Sequence, residues 1–208
     1  VISMELFALE FELEEFGQNV SHLIRKTYYT HDFFTDRQVH ASITREFDLL
    51  GRDKYEYKIV PCTLAIPLKV DKKRIWFSTV NADFQKEKTG GLTYITEGYQ
   101  EYLAPGSRFL AFSFIKPEQK AIFIGKKGAL AIIDKVSKVN YKIVNNSWTS
   151  LDIVYLNDYE KFSGSEILEI RLKDASQRFL IGQFKCTKIL ETEYNGRKFG
   201  FYTLLRSL

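Results

Sequence analysis

The chain is poor in the residues on which enzymatic reactions most often turn. It holds three histidines, His22, His31 and His40, and two cysteines, Cys62 and Cys186. The histidines stand nine positions apart, which fits neither one helix face nor a ligand spacing. With the cysteines so distant from each other, no zinc-site pattern exists. GxSxG, Walker, GxGxxG and HExxH motifs are all missing, so nothing calls for a metal or cofactor. No apolar run approaches the ~20 residues of a membrane helix. No Lys or Arg precedes Arg25, so the positive start of a secretory signal is absent. The expectation is an intracellular, cytoplasmic chain with free thiols and no membrane contact.

What is present suits a sheet-rich globular protein. Over 208 residues, 45% are apolar and 15% aromatic, enough for a substantial core in one large domain or two small ones. Charge is distributed in blocks. Residues 1–20 hold five Glu and no cation, whereas 106–144 hold eight Lys or Arg against Glu118 and Asp134. Residues 145–170 turn acidic again and 171–208 basic. Such blocks suit a positive face for a polyanion, or only a solvated surface.

Phe7, Leu9, Phe11 and Leu13 alternate with Ala8, Glu10, Glu12 and Glu14, which predicts a half-buried strand with a carboxylate face toward water. That exposed acidic edge suits a neighbouring subunit better than a nucleic acid. Residues 17–36 read as irregular. Thr35 with Gln38 forms a capping box, and Val39, Ile43, Phe47 and Leu50 follow at helical spacing up to Gly51, a C-terminal cap. Strand, loop and amphipathic helix fit the first half of a ferredoxin-like βαβ unit. Strands are expected at 55–60, 63–70, 75–79, 139–143, 151–156, 166–172, 179–186, 189–193 and 199–205. Asn195-Gly196 marks a hairpin. Residues 81–102 lose the apolar pattern and read as a projecting loop or hairpin. There Lys86 and Lys88 interleave with Tyr94, Tyr99 and Tyr102, as a grip on single-stranded RNA requires, or as a mobile loop with incidental tyrosines.

Residues 103–136 concentrate the remaining signal. Ala104-Pro105-Gly106-Ser107 is a turn, two apolar runs follow at 109–115 and 121–124, and Gly125-Lys126-Lys127-Gly128 closes the second. Two buried strands delivering a flexible positive loop can hold a phosphate backbone. Arg108, just after the first turn, can make a bidentate phosphate contact. Asn195–Gly200 repeats glycines around cations, which equally describes a plain turn. One catalytic combination is conceivable. His31, with Lys26, Tyr28 and Tyr29 close by, could cleave RNA by activating a 2′-hydroxyl.

The sequence LAPGSRF at 103–109, an alternating apolar strand and a short loop into IGKKG at 124–128 resembles the small subunit of type I-D CRISPR Cascade effectors, a RAMP-superfamily protein. Thr27-Tyr28-Tyr29-Thr30, leading into a helix at 39–50, is compatible with that family's N-terminal half. The resemblance implies an α+β, β-rich, ferredoxin-like and RRM-related RAMP body over 1–208, with a thumb near 81–102 and a C-terminal β lobe from about 145. It implies a non-catalytic subunit that grips the 5′ handle of the guide RNA. Its partners would be the large subunit and backbone subunits, with target DNA near the motif-proximal end. By position, Arg108, Lys126, Lys127 and Arg37 would face the RNA, with Lys86, Lys88, Tyr94 and Tyr99 on the thumb. The alternatives are a metal-independent endoribonuclease of repeat RNA in the same superfamily, and a protein-interaction module built on the acidic strand 7–13.

Overall fold

The computed structural model describes residues 5–19, 22–45, 62–78, 97–144, 153–156, 165–173 and 179–205. The alternating N-terminal segment is β1 (Leu6–Leu13). Two short strands, β2 (His22–Ile24) and β3 (Thr27–Tyr29), occupy part of what reads as irregular sequence. Their turn is Arg25-Lys26, both at positive φ. α1 (Asp36–Thr44) begins on the expected capping box, with Thr35 Oγ1 accepting from Gln38 N at 3.2 Å and Gln38 Oε1 from Thr35 N at 2.9 Å.

The helix ends at Arg45, in the left-handed region at φ 59°, and not at Gly51. Ser42, Ile43 and Thr44 are weak helix formers, and the Ser42 and Thr44 hydroxyls bond back to the carbonyls of Gln38 and His40 at 2.7 Å each. Phe47, Leu50, Gly51 and the strand expected at 55–60 lie outside the described residues.

The chain continues through β4 (Ile66–Lys69), β5 (Lys72–Ser78), β6 (Glu97–Leu103), β7 (Arg108–Ser113), β8 (Ala121–Ile124), β9 (Ala129–Val139) and β10 (Tyr141–Ile143). It ends with β11 (Ile153–Leu156), β12 (Ser165–Lys173), β13 (Phe179–Tyr194) and β14 (Arg197–Leu205). β13 is a single strand, and a bulge between Lys188 and Leu190 is what interrupts its alternation. Asn195 and Gly196, both at positive φ, close the β13–β14 hairpin as their sequence predicts.

The first sheet has the order β4-β7-β1-β9-β8. β7 is antiparallel to both β1 and β4, so β1 and β4 run parallel with β7 between them and α1 in their connection. That is the split βαβ unit, and β9 on the far side of β1 completes a ferredoxin-like strand order. Where that fold would place a second helix, between β7 and β9, residues 114–120 are irregular and β8 folds back as a hairpin on β9. The result is an α+β protein dominated by antiparallel sheet.

β1 is the middle strand, not an edge, and both its faces are covered. On one face Phe11 and Phe109 pack with Phe34, which leads into α1. On the other, Phe112 meets Tyr194, Phe199 and Phe201 of the β13–β14 hairpin. Glu10 is therefore 6% exposed and does not face open water. A strand already paired on both sides offers no edge to another protein, which removes the acidic-strand docking expectation.

The second sheet runs β10-β13-β14-β11, with β12 also on β13, and the chain crosses into it at Asn140. A third sheet, β2-β3-β6-β5, stands on the segment after β1 through backbone bonds between Gly17 and Leu103 at 2.8–2.9 Å.

Candidate nucleic-acid interface

The β8–β9 turn is held in place by its glycines. Gly125 (φ +88°) and Gly128 (φ +63°) adopt conformations that side chains resist, and a Cβ on Gly125 would sit 2.4 Å from the Gln18 carbonyl oxygen. That carbonyl accepts a hydrogen bond from Lys126 N at 2.8 Å. The turn is pinned rather than flexible, and it carries Lys126 and Lys127 on an exposed tip. Gln18 is fixed in turn, its side-chain amide donating to the Glu101 carbonyl at 2.9 Å. Neighbouring Asn19 accepts from Gln38 Nε2 at 3.0 Å and donates to the Phe33 carbonyl at 2.5 Å. The first turn of α1, which carries half-buried Arg37, is thereby linked to the segment that seats the lysines.

Arg108 belongs elsewhere. It follows the turn at Gly106 (φ +90°), whose amide donates to the Leu13 carbonyl at 2.8 Å, so both glycine turns lie at one end of the first sheet. The pairing Glu12↔Arg108 and Glu10↔Leu110 puts the arginine on the face toward β13–β14, opposite Phe34 and α1. Its guanidinium grips Asp134 through Nη1 at 2.7 Å and Nη2 at 2.9 Å, and lies 3.4 Å from Glu10 and 3.5 Å from Glu12. Asp134 is the extra residue of a β-bulge opposite Glu10 and Phe11, and the bulge turns its carboxylate onto the arginine.

The hydrogen bond from Arg108 holds the Asp134 carboxyl below its ordinary range, and the same contact raises Arg108. Glu10 also accepts from the Tyr194 hydroxyl and meets Lys135 Nζ at 3.6 Å. Burial, and then this carboxylate, push Tyr194 up to about 12. Three acids surround Arg108, and they would repel a phosphate. The expectation that Arg108 faces RNA is therefore corrected: it is the central cation of a part-exposed cluster on the first sheet, which reaches the second sheet through Glu10 and Tyr194.

Tyr99 lies on β6, directly across from Trp76 on β5, with ring centroids 5.1 Å apart. Lys86, Lys88 and Tyr94 lie outside the described residues. Trp76, Arg74 and Tyr29, which share the Tyr99 face, do not stand out in the sequence as RNA-facing residues. A signal exists nonetheless: β5 reads KKRIWFS, an aromatic pair closely following three cations.

The histidines are dispersed. His40 is 1% exposed on α1, and His31 is half-buried with its ring 5.3 Å from Phe33. Tyr28 packs on Phe77 while Tyr29 lies under Arg74 on the other face of the third sheet. Lys26 is ion-paired to Glu97 at 3.3 Å. Among the described residues, no three His, Cys, Asp or Glu side chains are grouped to hold a metal ion, and no helix is long and apolar enough to cross a membrane.

No protein-family model matches the chain, and no curated protein does. Among solved structures it is similar to a CRISPR protein from Archaeoglobus fulgidus, at 11% identity and a TM-score of 0.37, over 95% of this chain and 99% of that one. The fold described above stands on strand order and register, not on this likeness.

Proposed function

We propose that the chain is a non-catalytic, RNA-binding subunit of a type I-D CRISPR Cascade surveillance complex. In this reading it acts in the cytoplasm, grips the 5′ handle of the guide RNA, and contacts the large and backbone subunits. The observation that carries the reading is the pinned Gly125–Gly128 turn: two lysines presented at a fixed place, backed by Gln18 and Phe34. Its sequence, with LAPGSRF before it, is also where the chain resembles that family. Such a subunit would work by neutralising phosphates and by shape, needing no reacting group.

The test is binding of a handle-length RNA as a function of salt. Lys126→Ala/Lys127→Ala should weaken binding and flatten the log–log slope by roughly 0.7 for each phosphate left without its lysine. Unchanged affinity and slope would remove this turn as the site. Metal-independent cleavage of repeat RNA, abolished by His31→Ala, would replace the reading with an endoribonuclease of the same superfamily.

A further inference from the structure

We propose that the face of the third sheet carrying Trp76 and Tyr99 is a stacking platform for the bases of a single-stranded nucleic acid. It rests on the RNA-binding reading and names where the bases would lie. The register Lys72↔Leu103, Arg74↔Glu101, Trp76↔Tyr99 places these six side chains on one face. β3 joins in parallel through Thr27↔Tyr99, which brings Tyr29 onto the same face with the Arg74 guanidinium 5.1 Å above its ring. Burial falls away along the strand pair. Leu103 and Glu101 are buried at the base, whereas Tyr99 is 44% and Trp76 52% exposed.

A tryptophan half in water, edge-on to a tyrosine at 74°, offers π-surface of a kind any base can stack upon. Cations stand at both ends of this pair. Toward the base, Lys72 and Arg74 share one carboxylate, Glu101, at 3.7 and 3.5 Å, so a positive charge is left over. Arg74 uses Nε for that contact, and along a strand it lies about 7 Å from Trp76, the scale of one nucleotide step. Toward the tip, the Arg25-Lys26 turn abuts Tyr99, whose amide donates to the Lys26 carbonyl at 2.8 Å. Lys26 is offset there by Glu97 of the same face at 3.3 Å, so the exposed cation at this end is Arg25.

The reverse face of the same sheet is different. Its aromatic pair, Tyr28 and Phe77, is only half-exposed, its well-exposed side chains include the aliphatic Ile75 and Leu23, and on β5 its cation Lys73 is paired with Asp71 at 3.4 Å. Aliphatic surface of that kind fits a protein. Aromatic rings bracketed by cations fit a phosphate-linked chain of bases.

The test uses the full chain with Trp148→Phe, which leaves Trp76 as the sole tryptophan, titrated with a handle-length single-stranded RNA and its abasic counterpart. Trp76 fluorescence should be quenched by the RNA and much less by the abasic strand. Trp76→Ala should weaken binding roughly tenfold with the salt slope unchanged, and Trp76→Phe should retain most of the affinity. Filter binding of Trp76→Ala needs no change at Trp148 and gives the answer independently. RNA binding that depends on Lys126 and Lys127, but is indifferent to Trp76→Ala and to base removal, overturns the platform and leaves the RNA-binding reading standing. No RNA binding by any form at low salt overturns both. A protein partner released by Trp76→Ala, with RNA affinity intact, reassigns the face to protein docking and overturns the proposal.

Discussion

Arg108 and Lys127 are both cations set beside glycine turns at one end of one sheet, and their surroundings give them opposite roles. Arg108 faces the β13–β14 hairpin, where Glu10, Glu12 and a bulged Asp134 saturate it. Lys127 stands exposed on the rim, on a turn whose every backbone constraint serves to hold it still. A charge beside a glycine says nothing about its use until the opposing strands are known. What separates the two is whether carboxylates lie across the sheet.

The comparison breaks first if Arg108 proves dispensable. Arg108→Ala leaves buried Glu10 without one of its donors and should cost about 2–3 kcal/mol in urea unfolding, most of it through Glu10 and little through exposed Asp134, with RNA affinity of the folded protein unchanged. Because Asp134 is held below its ordinary range, its contribution is present above that range and lost as pH falls through the lowered value. Arg108→Ala should therefore flatten the acid limb of the stability profile.

Gly125→Ala comes next. Positive φ and the Gln18 oxygen together should cost about 2–3 kcal/mol by thermal or urea melts, and RNA binding should fall as the turn shifts. Gly106→Ala, at similar φ with nothing within 4 Å, should cost only about 1 kcal/mol. Equal losses would show that the 17–19 segment does not brace the lysine turn.

Tyr194→Phe sharpens the contrast at the acid cluster. It removes a hydrogen bond to a carboxylate and should cost about 1.5 kcal/mol near neutral pH. With Tyr194 raised to about 12, the native protein's advantage is complete below pH 10 and lost between 10 and about 12 as the hydroxyl ionises, so the variant should lack that alkaline step. Smallest of all, Lys127→Ala should leave stability within about 0.5 kcal/mol while lowering the RNA salt slope by roughly 0.7.

Local chemistry makes part of this legible in the sequence. The Thr35–Gln38 capping box, the Asn195-Gly196 hairpin and the two glycine turns are each fixed by a few adjacent residues, and each is where the sequence puts it. β1 shows what local pattern misses. Its alternation is real, but Glu10 looks solvent-facing only while Arg108, Lys135 and Tyr194, far along the chain, are out of sight. β9 escapes a sequence reading for a related reason: the cations and Asp134 in ALAIIDKVSKV obscure a strand whose identity comes from pairing with β1. The lysine turn is betrayed by its glycines. Trp76 and Arg74 leave only the KKRIWFS run of cations before an aromatic pair, which does not distinguish a stacked, half-exposed tryptophan from one in a core.

Gln18 has a consequence of its own. Its carbonyl holds the amide of Lys126, and its side chain holds the carbonyl of Glu101 at the foot of the third sheet. The lysine tip and the aromatic sheet thus share one anchor, set beside the Gly17–Leu103 bonds that seat the sheet. On the proposed reading, a strand gripped at the tip and stacked on the sheet would touch two surfaces braced through the same residue.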